Sequence, residues 1–410
     1  MKLLLLVLLF VLPYLQTHAQ MQSLGFMLPE GKSRVTVPIE IRNNLIIIPV
    51  IINGQLPLKF ILDTGVRTAI LTEKSFSDIL GLPYSRQYTI AGPGDQHLIT
   101  AYIANNISIY IPPGIKGTGH ALLVLEKDYL ELRNYLGVEV HGILGYELFS
   151  RFVVLINYQE KFIEFIDPHK FKPKKKYQQV PIQIEDTKPF IRTNAEIGKR
   201  KNLKLLVDTG ASHSLMLYPE SDIEIQVPER HIETTIGRAL GGEIRGKMAR
   251  IQEMEMGRYK LKGIMTSYPD PNSYMDSLKA SSVARNGSIG GEVLSRFTVI
   301  FNYPAGKMYL TKNQSFKKEF QNNLSGLTLK AKGARLKVFE VIDVREKSVS
   351  DRAEIMKGDI LHTVNGNAAK NLDLNELNTL LNSKPGKKIV LVVDRDGVKL
   401  KKTIILEKEI

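Results

Sequence analysis

Two carboxylates stand at the ends of two short apolar stretches. Residues 60–65 read Phe-Ile-Leu-Asp-Thr-Gly, and residues 205–210 read Leu-Leu-Val-Asp-Thr-Gly. Each apolar run is too short for a helix and rich in aliphatic residues, so it reads as a buried strand. It delivers Asp63 or Asp208 into a tight turn, where Gly65 or Gly210 permits a positive φ and the close approach of another backbone. A carboxylate ending a buried strand is costly unless something pairs with it or uses it. Two such strands imply two carboxylates that meet.

The elements that must position them are written as a repeat. Asp208 follows Asp63 by 145 residues, and the same offset carries Gly142-Ile143-Leu144-Gly145-Tyr146-Glu147 onto Gly287-Ser288-Ile289-Gly290-Gly291-Glu292. It also carries Asn157-Tyr158 onto Asn302-Tyr303. A period this long is too large for a solenoid and reads as a duplicated domain. The halves run over 30–168 and 178–313, joined by the Pro- and Lys-rich segment 168–176. Within the first half, strand patterns cover 35–41, 45–52, 107–111, 152–157 and 162–166, with helical pattern only at 73–80 and 127–136. Gly92-Pro93-Gly94 and Gly237 sit between the repeated blocks and mark hairpin tips, each either a mobile flap or an ordinary surface turn.

The bulk numbers frame this. At 410 residues, 43% hydrophobic and 24% charged, the chain is ordinary globular protein of about three domains. Lys2, the apolar run 3–12 and Thr17-His18-Ala19 read as a signal peptide over 1–19, with an uncleaved anchor as the alternative. The expectation is a chain exported to a bacterial periplasm or the exterior, with no transmembrane segment after removal of the leader. The absence of cysteine excludes disulfides, thiol nucleophiles and Cys-based zinc sites. A net charge of +14 could point to nucleic acid, but the basic residues are dispersed apart from the run 170–176, and export makes that partner unexpected. No G-x-S-x-G, H-E-x-x-H, Walker or G-x-G-x-x-G pattern occurs, and the eight histidines are scattered.

Two D-T-G stretches, each followed at one distance by an apolar-apolar-Gly block, resemble the two-lobed aspartic proteases of the retropepsin/pepsin clan over 30–313. The resemblance implies a mainly β fold of two pseudo-twofold related β-barrel lobes, with Asp63 and Asp208 facing one another around a water. Carboxylates that close cannot both ionise easily and share a proton. On this resemblance the ionised member is the general base toward the water, and the protonated member polarises the scissile carbonyl and then protonates the leaving nitrogen. No metal or other cofactor is implied. Thr64 and Thr209 would bond across the axis, while Gly65 and Gly210 let backbone N–H groups reach the carboxylates. Arg67 and Ser212 lie where relatives contact substrate, as do the hairpin glycines Gly92, Gly94 and Gly237.

The positions after D-T-G are Val66 and Ala211, which offer no hydroxyl to the ionised pair. The pair is therefore expected to lose its second proton at higher pH than in pepsin-like relatives. The partners implied are polypeptide substrates. The competing expectation is a catalytically silent peptide-binding protein that keeps the fold.

Beyond residue 312 the texture changes. Strand pattern over 326–329, helical pattern over 348–361 and 372–381, G-D-I-L at 358–361, V-N-G at 364–366 and a closing hairpin over 388–406 resemble a PDZ domain over 322–408. The resemblance implies capture of an extended peptide as an added strand at a loop carrying Ala334, Arg335 and Leu336. The alternative is a structural module holding the second half.

Overall fold

The computed structural model describes residues 24–91, 98–239, 242–271 and 283–410. The leader expected at 1–19 and the hairpin glycines Gly92 and Gly94 lie outside these residues. The described chain is mainly β, in four sheets of nine, six, eight and six strands.

Strands form where the side-chain period is two or where an apolar run is covered on both faces. Arg34–Pro38 alternates exposed and buried residues, with Val35 and Val37 inward. Leu45–Ile52 is buried along most of its length and is paired by Leu56–Leu62. Leu56–Leu62 then runs parallel to Gly142–Leu144, with Leu62 opposite Leu144. The second half repeats this with Arg200–Val207 parallel to Gly287–Ile289, Val207 opposite Ile289.

One sheet takes strands from both halves. Its order is Gln178–Pro181, Lys307–Lys312, Phe297–Asn302, Val153–Asn157, Phe162–Ile166 and Arg34–Pro38. At its centre Val154 pairs with Phe301 and Ile156 with Val299, so the ladder maps onto itself when the repeat offset is applied. One continuous core runs through both halves, from Phe26 to Phe320, with Phe149, Phe301 and Tyr303 packed ring against ring at the seam.

The expectation of two pseudo-twofold related β-barrel lobes is corrected by this arrangement. The nine- and eight-stranded sheets are cross-paired internally, Leu98–Ile111 with Ile115–Leu125 and Lys188–Glu196 with Gly242–Met256, yet each leaves strands paired on one side only, Gly25–Met27 and Tyr84–Ala91 in one, Gln183–Glu185 and His231–Ala239 in the other. Their halves are then merged through the central sheet. The expected helices are also shorter. Residues 127–136 hold only Leu132–Leu136, because Glu131 takes a left-handed φ of 49° and the Asp128 carboxylate accepts the N–H groups of Leu130 and Glu131. Residues 348–361 hold only Val349–Arg352 before the chain enters the strand Ile360–Val364.

The C-terminal unit has its own core, Leu324 to Leu406, built on an antiparallel sheet and the helix Leu374–Leu381. That helix is closed by reciprocal Asp373–Glu376 capping and buries Leu374, Leu377 and Leu381 on one face. The PDZ expectation is corrected. An added peptide strand needs a free strand edge. Val338–Val344, the strand that follows the loop of Ala334, Arg335 and Leu336, is paired by Leu327–Lys332 along one edge. Its other edge meets Ile360 at Glu340, with Val341 N donating to Asp359 O and Gly358 N to Val341 O. The Ala334 carbonyl accepts from Arg133 of the first half, Arg335 is exposed, and Leu336 is buried in the C-terminal core. What stands there is a β-sheet unit in which no PDZ domain is distinguishable.

Candidate functional site

The two D-T-G loops meet where the halves join. Each leaves its strand through a hydrogen bond to the backing strand, Asp63 N to Leu144 O and Asp208 N to Ile289 O, both 2.9 Å. The turn after each backing strand holds the loop from the other side: Tyr146 N donates to Val66 O at 2.9 Å, and Gly291 N donates to Ala211 O at 2.6 Å. Glycine is required at Gly145, where a Cβ would lie 1.9 Å from Asp63 O, and at Gly290, where it would lie 2.2 Å from His213 O.

The threonines tie one loop to the other. Thr64 N donates to Thr209 Oγ1 and Thr209 N to Thr64 Oγ1, each at 3.0 Å. The hydroxyls in turn donate onward, Thr64 to Val207 O at 2.7 Å and Thr209 to Leu62 O at 2.8 Å. Both threonines are fully buried. All four hydrogen bonds are satisfied within the seam, which makes it a rigid unit.

This closure brings the carboxylates together. A Cβ added at Gly210 would lie 2.1 Å from Asp63 Cγ, so the second loop runs against the first carboxylate. A Cβ added at Gly65 would lie 3.0 Å from Asp63 Oδ1 and 3.7 Å from both carboxylate oxygens of Asp208, so the two side chains flank one point. Gly65 N donates to Asp63 Oδ1 at 2.6 Å, and Gly210 N to Asp208 Oδ1 at 2.9 Å. Desolvation raises the Asp63 pKa well above the usual carboxylate range, and the negative charge of Asp208 raises it further against the opposing Gly65 N–H. Both carboxyls remain half-buried rather than sealed. Among the described residues no side-chain hydroxyl donates to either one; Val66 and Ala211 occupy the adjoining positions.

Several further groups surround the pair. Tyr303 lies near enough for both aspartates, after desolvation, to raise its pKa well above the usual phenol range. Its buried hydroxyl has no hydrogen-bond partner among the described residues. His213 Nε2 is 3.0 Å from Ser288 Oγ, and burial lowers its pKa against the pull of Asp208. Ser214 bonds to Glu292, which lies 3.5 Å from Arg296. The offset of 145 marked Tyr303 and Glu292 as repeat positions, but it gave no hint that Glu147 bonds instead to His120.

Arg67 is exposed and lies 3.7 Å from Asp186, across the seam. Exposed Ser212 accepts, through its carbonyl, from Asn44 Nδ2 at 3.3 Å. Gly237 sits at a register shift in the hairpin of His231–Ala239 and Gly242–Met256. Among the described residues no group of three or more His, Cys, Asp or Glu is placed to hold a metal ion. No described helix is long and apolar enough to cross a membrane.

Residues 48–148 match a protein family described as Aspartyl protease. No curated protein matches the chain. Among solved structures, Basic 7S globulin from soybean aligns with 70% of this chain and 97% of that chain, at 10% identity and a TM-score of 0.41, a likeness too weak to bear on activity or ligand. The chain is thus related, distantly and in part, to an aspartic-protease-like domain. The wider resemblance expected over 30–313 is corrected to that extent, since the family match ends before the second D-T-G.

Proposed function

We propose that Asp63 and Asp208 form the acid–base pair of an aspartic-type hydrolase acting on peptide bonds. The observation that supports this is the approach of both carboxylates to Gly65 beside a seam closed by Thr64 and Thr209. The ionised carboxylate takes a proton from a water, whose oxygen adds to the scissile carbonyl carbon while the protonated carboxyl donates to the carbonyl oxygen. Collapse of the tetrahedral adduct breaks the C–N bond: the amine nitrogen takes the proton that the base had gained, and one hydroxyl of the adduct returns its proton to the other carboxylate. No covalent intermediate is needed. The titration belongs to the pair, so neither residue is assigned the base alone. The apolar run 3–12 and the lack of cysteine support export of the chain.

A second reading, a peptide-binding protein that keeps the fold without turnover, is supported by the comparisons more than the first. The matched region, 48–148, holds Asp63 but not Asp208. Cleavage of an unfolded polypeptide, slowed by a transition-state mimic and lost in both Asp63→Asn and Asp208→Asn, supports the hydrolase. Folded wild type that binds peptides and cleaves none of a diverse library supports the binder.

A further inference from the structure

Far along the chain from the carboxylates, one acidic side chain is shared by three parts of the molecule. Glu131, at the start of Leu132–Leu136 in the first half, lies with Oε2 3.3 Å from Arg238 Nη2 and Oε1 2.5 Å from Lys330 Nζ. Arg238 is near the end of the second-half hairpin strand His231–Ala239, and Lys330 is on Leu327–Lys332 of the C-terminal sheet. Tyr135, one turn on, joins the same two cations. Its hydroxyl accepts from Arg238 Nη1 at 2.8 Å, and its ring lies 5.1 Å from the Arg238 guanidinium and 5.7 Å from Lys330 Nζ. None of the three ion-pair partners is more than about a third exposed, so screening weakens this cluster less than a surface pair.

The segment is also pinned to the C-terminal unit by uncharged contacts. Arg133 Nη2 donates to Ala334 O at 2.9 Å and Asn134 Nδ2 to Ala331 O at 2.7 Å. A Cβ at Gly137 would lie 2.6 Å from Leu374 Cβ, so the backbone there rests on the helix Leu374–Leu381. The hairpin in turn reaches the site through an unbroken ladder. His231–Ala239 pairs with Gly242–Met256, that strand with Tyr259–Pro269, and Tyr259–Pro269 with Leu215–Leu217 just after the second D-T-G loop.

We infer that the C-terminal unit is a latch for the second-half hairpin, acting through segment 131–137, which presents Glu131 and Tyr135 to Arg238 only while it is clamped onto Leu327–Lys332. Undocking the C-terminal unit frees the segment, and the hairpin loses its tether. Whether the released hairpin alters turnover rests on the hydrolase reading; the coupling itself does not.

The test is amide hydrogen exchange on the full chain, read in an Asp63→Asn background so that catalysis plays no part. Asn134→Ala and Arg133→Ala together remove both bonds to the C-terminal carbonyls without touching Arg238. Exchange over 231–239 is expected to rise roughly three- to tenfold, the scale of losing one partly buried polar cluster. Linkage is reciprocal, so Arg238→Ala is expected to raise exchange over 327–332. Unchanged exchange over 153–157 in the central sheet verifies folding in each variant. Exchange over 231–239 that stays at the wild-type level while 327–332 loosens, or no change in either arm, overturns the latch.

Discussion

Thr64 and Thr209 each donate a backbone N–H to the other's hydroxyl at 3.0 Å, in a seam to which water has no access. Replacing either by alanine strands a buried N–H of the partner loop and a carbonyl, Val207 O or Leu62 O. Each stranded group costs about 1–3 kcal/mol. Denaturant unfolding of Thr64→Ala or Thr209→Ala should therefore show a loss of about 2–5 kcal/mol, with Thr→Ser recovering most of it. The double variant should fall short of additivity, because the two residues serve one network.

Glycine positions separate the loop from the hairpin. A methyl at Gly210 would collide with the Asp63 carboxyl, whereas nothing lies within 4 Å of a Cβ at Gly237. Gly210→Ala should displace the carboxylate and abolish any hydrolysis, and Gly237→Ala should leave both the melting temperature and activity near wild type. Comparable losses in the two variants would mean that the hairpin glycine is needed for contact with a bound chain.

The raised pKa of Asp63 has a stability consequence. A group whose folded pKa lies above its unfolded value contributes its full stability below the unfolded pKa and loses it as pH rises through the folded one. Wild type therefore carries a penalty at neutral pH that Asp63→Asn removes. The variant should melt higher at pH 7, by roughly 2–4 °C for each kcal/mol relieved, and the advantage should vanish in acid. If hydrolysis is detected, the same shift predicts an alkaline limb of the rate profile above the usual carboxylate range.

His213 carries the opposite sign. Burial lowers its pKa, so it is neutral at pH 7 and resists protonation in the fold. A depressed histidine contributes stability above its unfolded pKa and loses it as pH falls through that value and on toward the folded one. Melting curves between pH 7 and 5 should fall less steeply for His213→Asn than for wild type. An equal or steeper fall would mean that the Asp208 charge and the Ser288 bond outweigh burial.

What the sequence by itself determined is local and periodic. A strand ending in D-T-G, written twice at one spacing, put Asp63, Asp208, both threonines and both loop glycines at the ends of two buried strands, because backbone demands and side-chain period are read from neighbours. It also marked Gly145 and Gly290 as turn residues. Tertiary structure decided everything that depends on a partner from elsewhere in the chain. It merged strands such as Val153–Asn157 and Phe297–Asn302 into one shared sheet, paired Val338–Val344 with Leu327–Lys332 on one edge and with Ile360 at Glu340 on the other, and set Arg67 against Asp186. It cut the helix expected at 127–136 to one turn and turned Glu131 toward two cations from other units. Strand order and charge pairing carry no period along the chain: they are settled by which surfaces bury each other, and burial is a property of the folded whole.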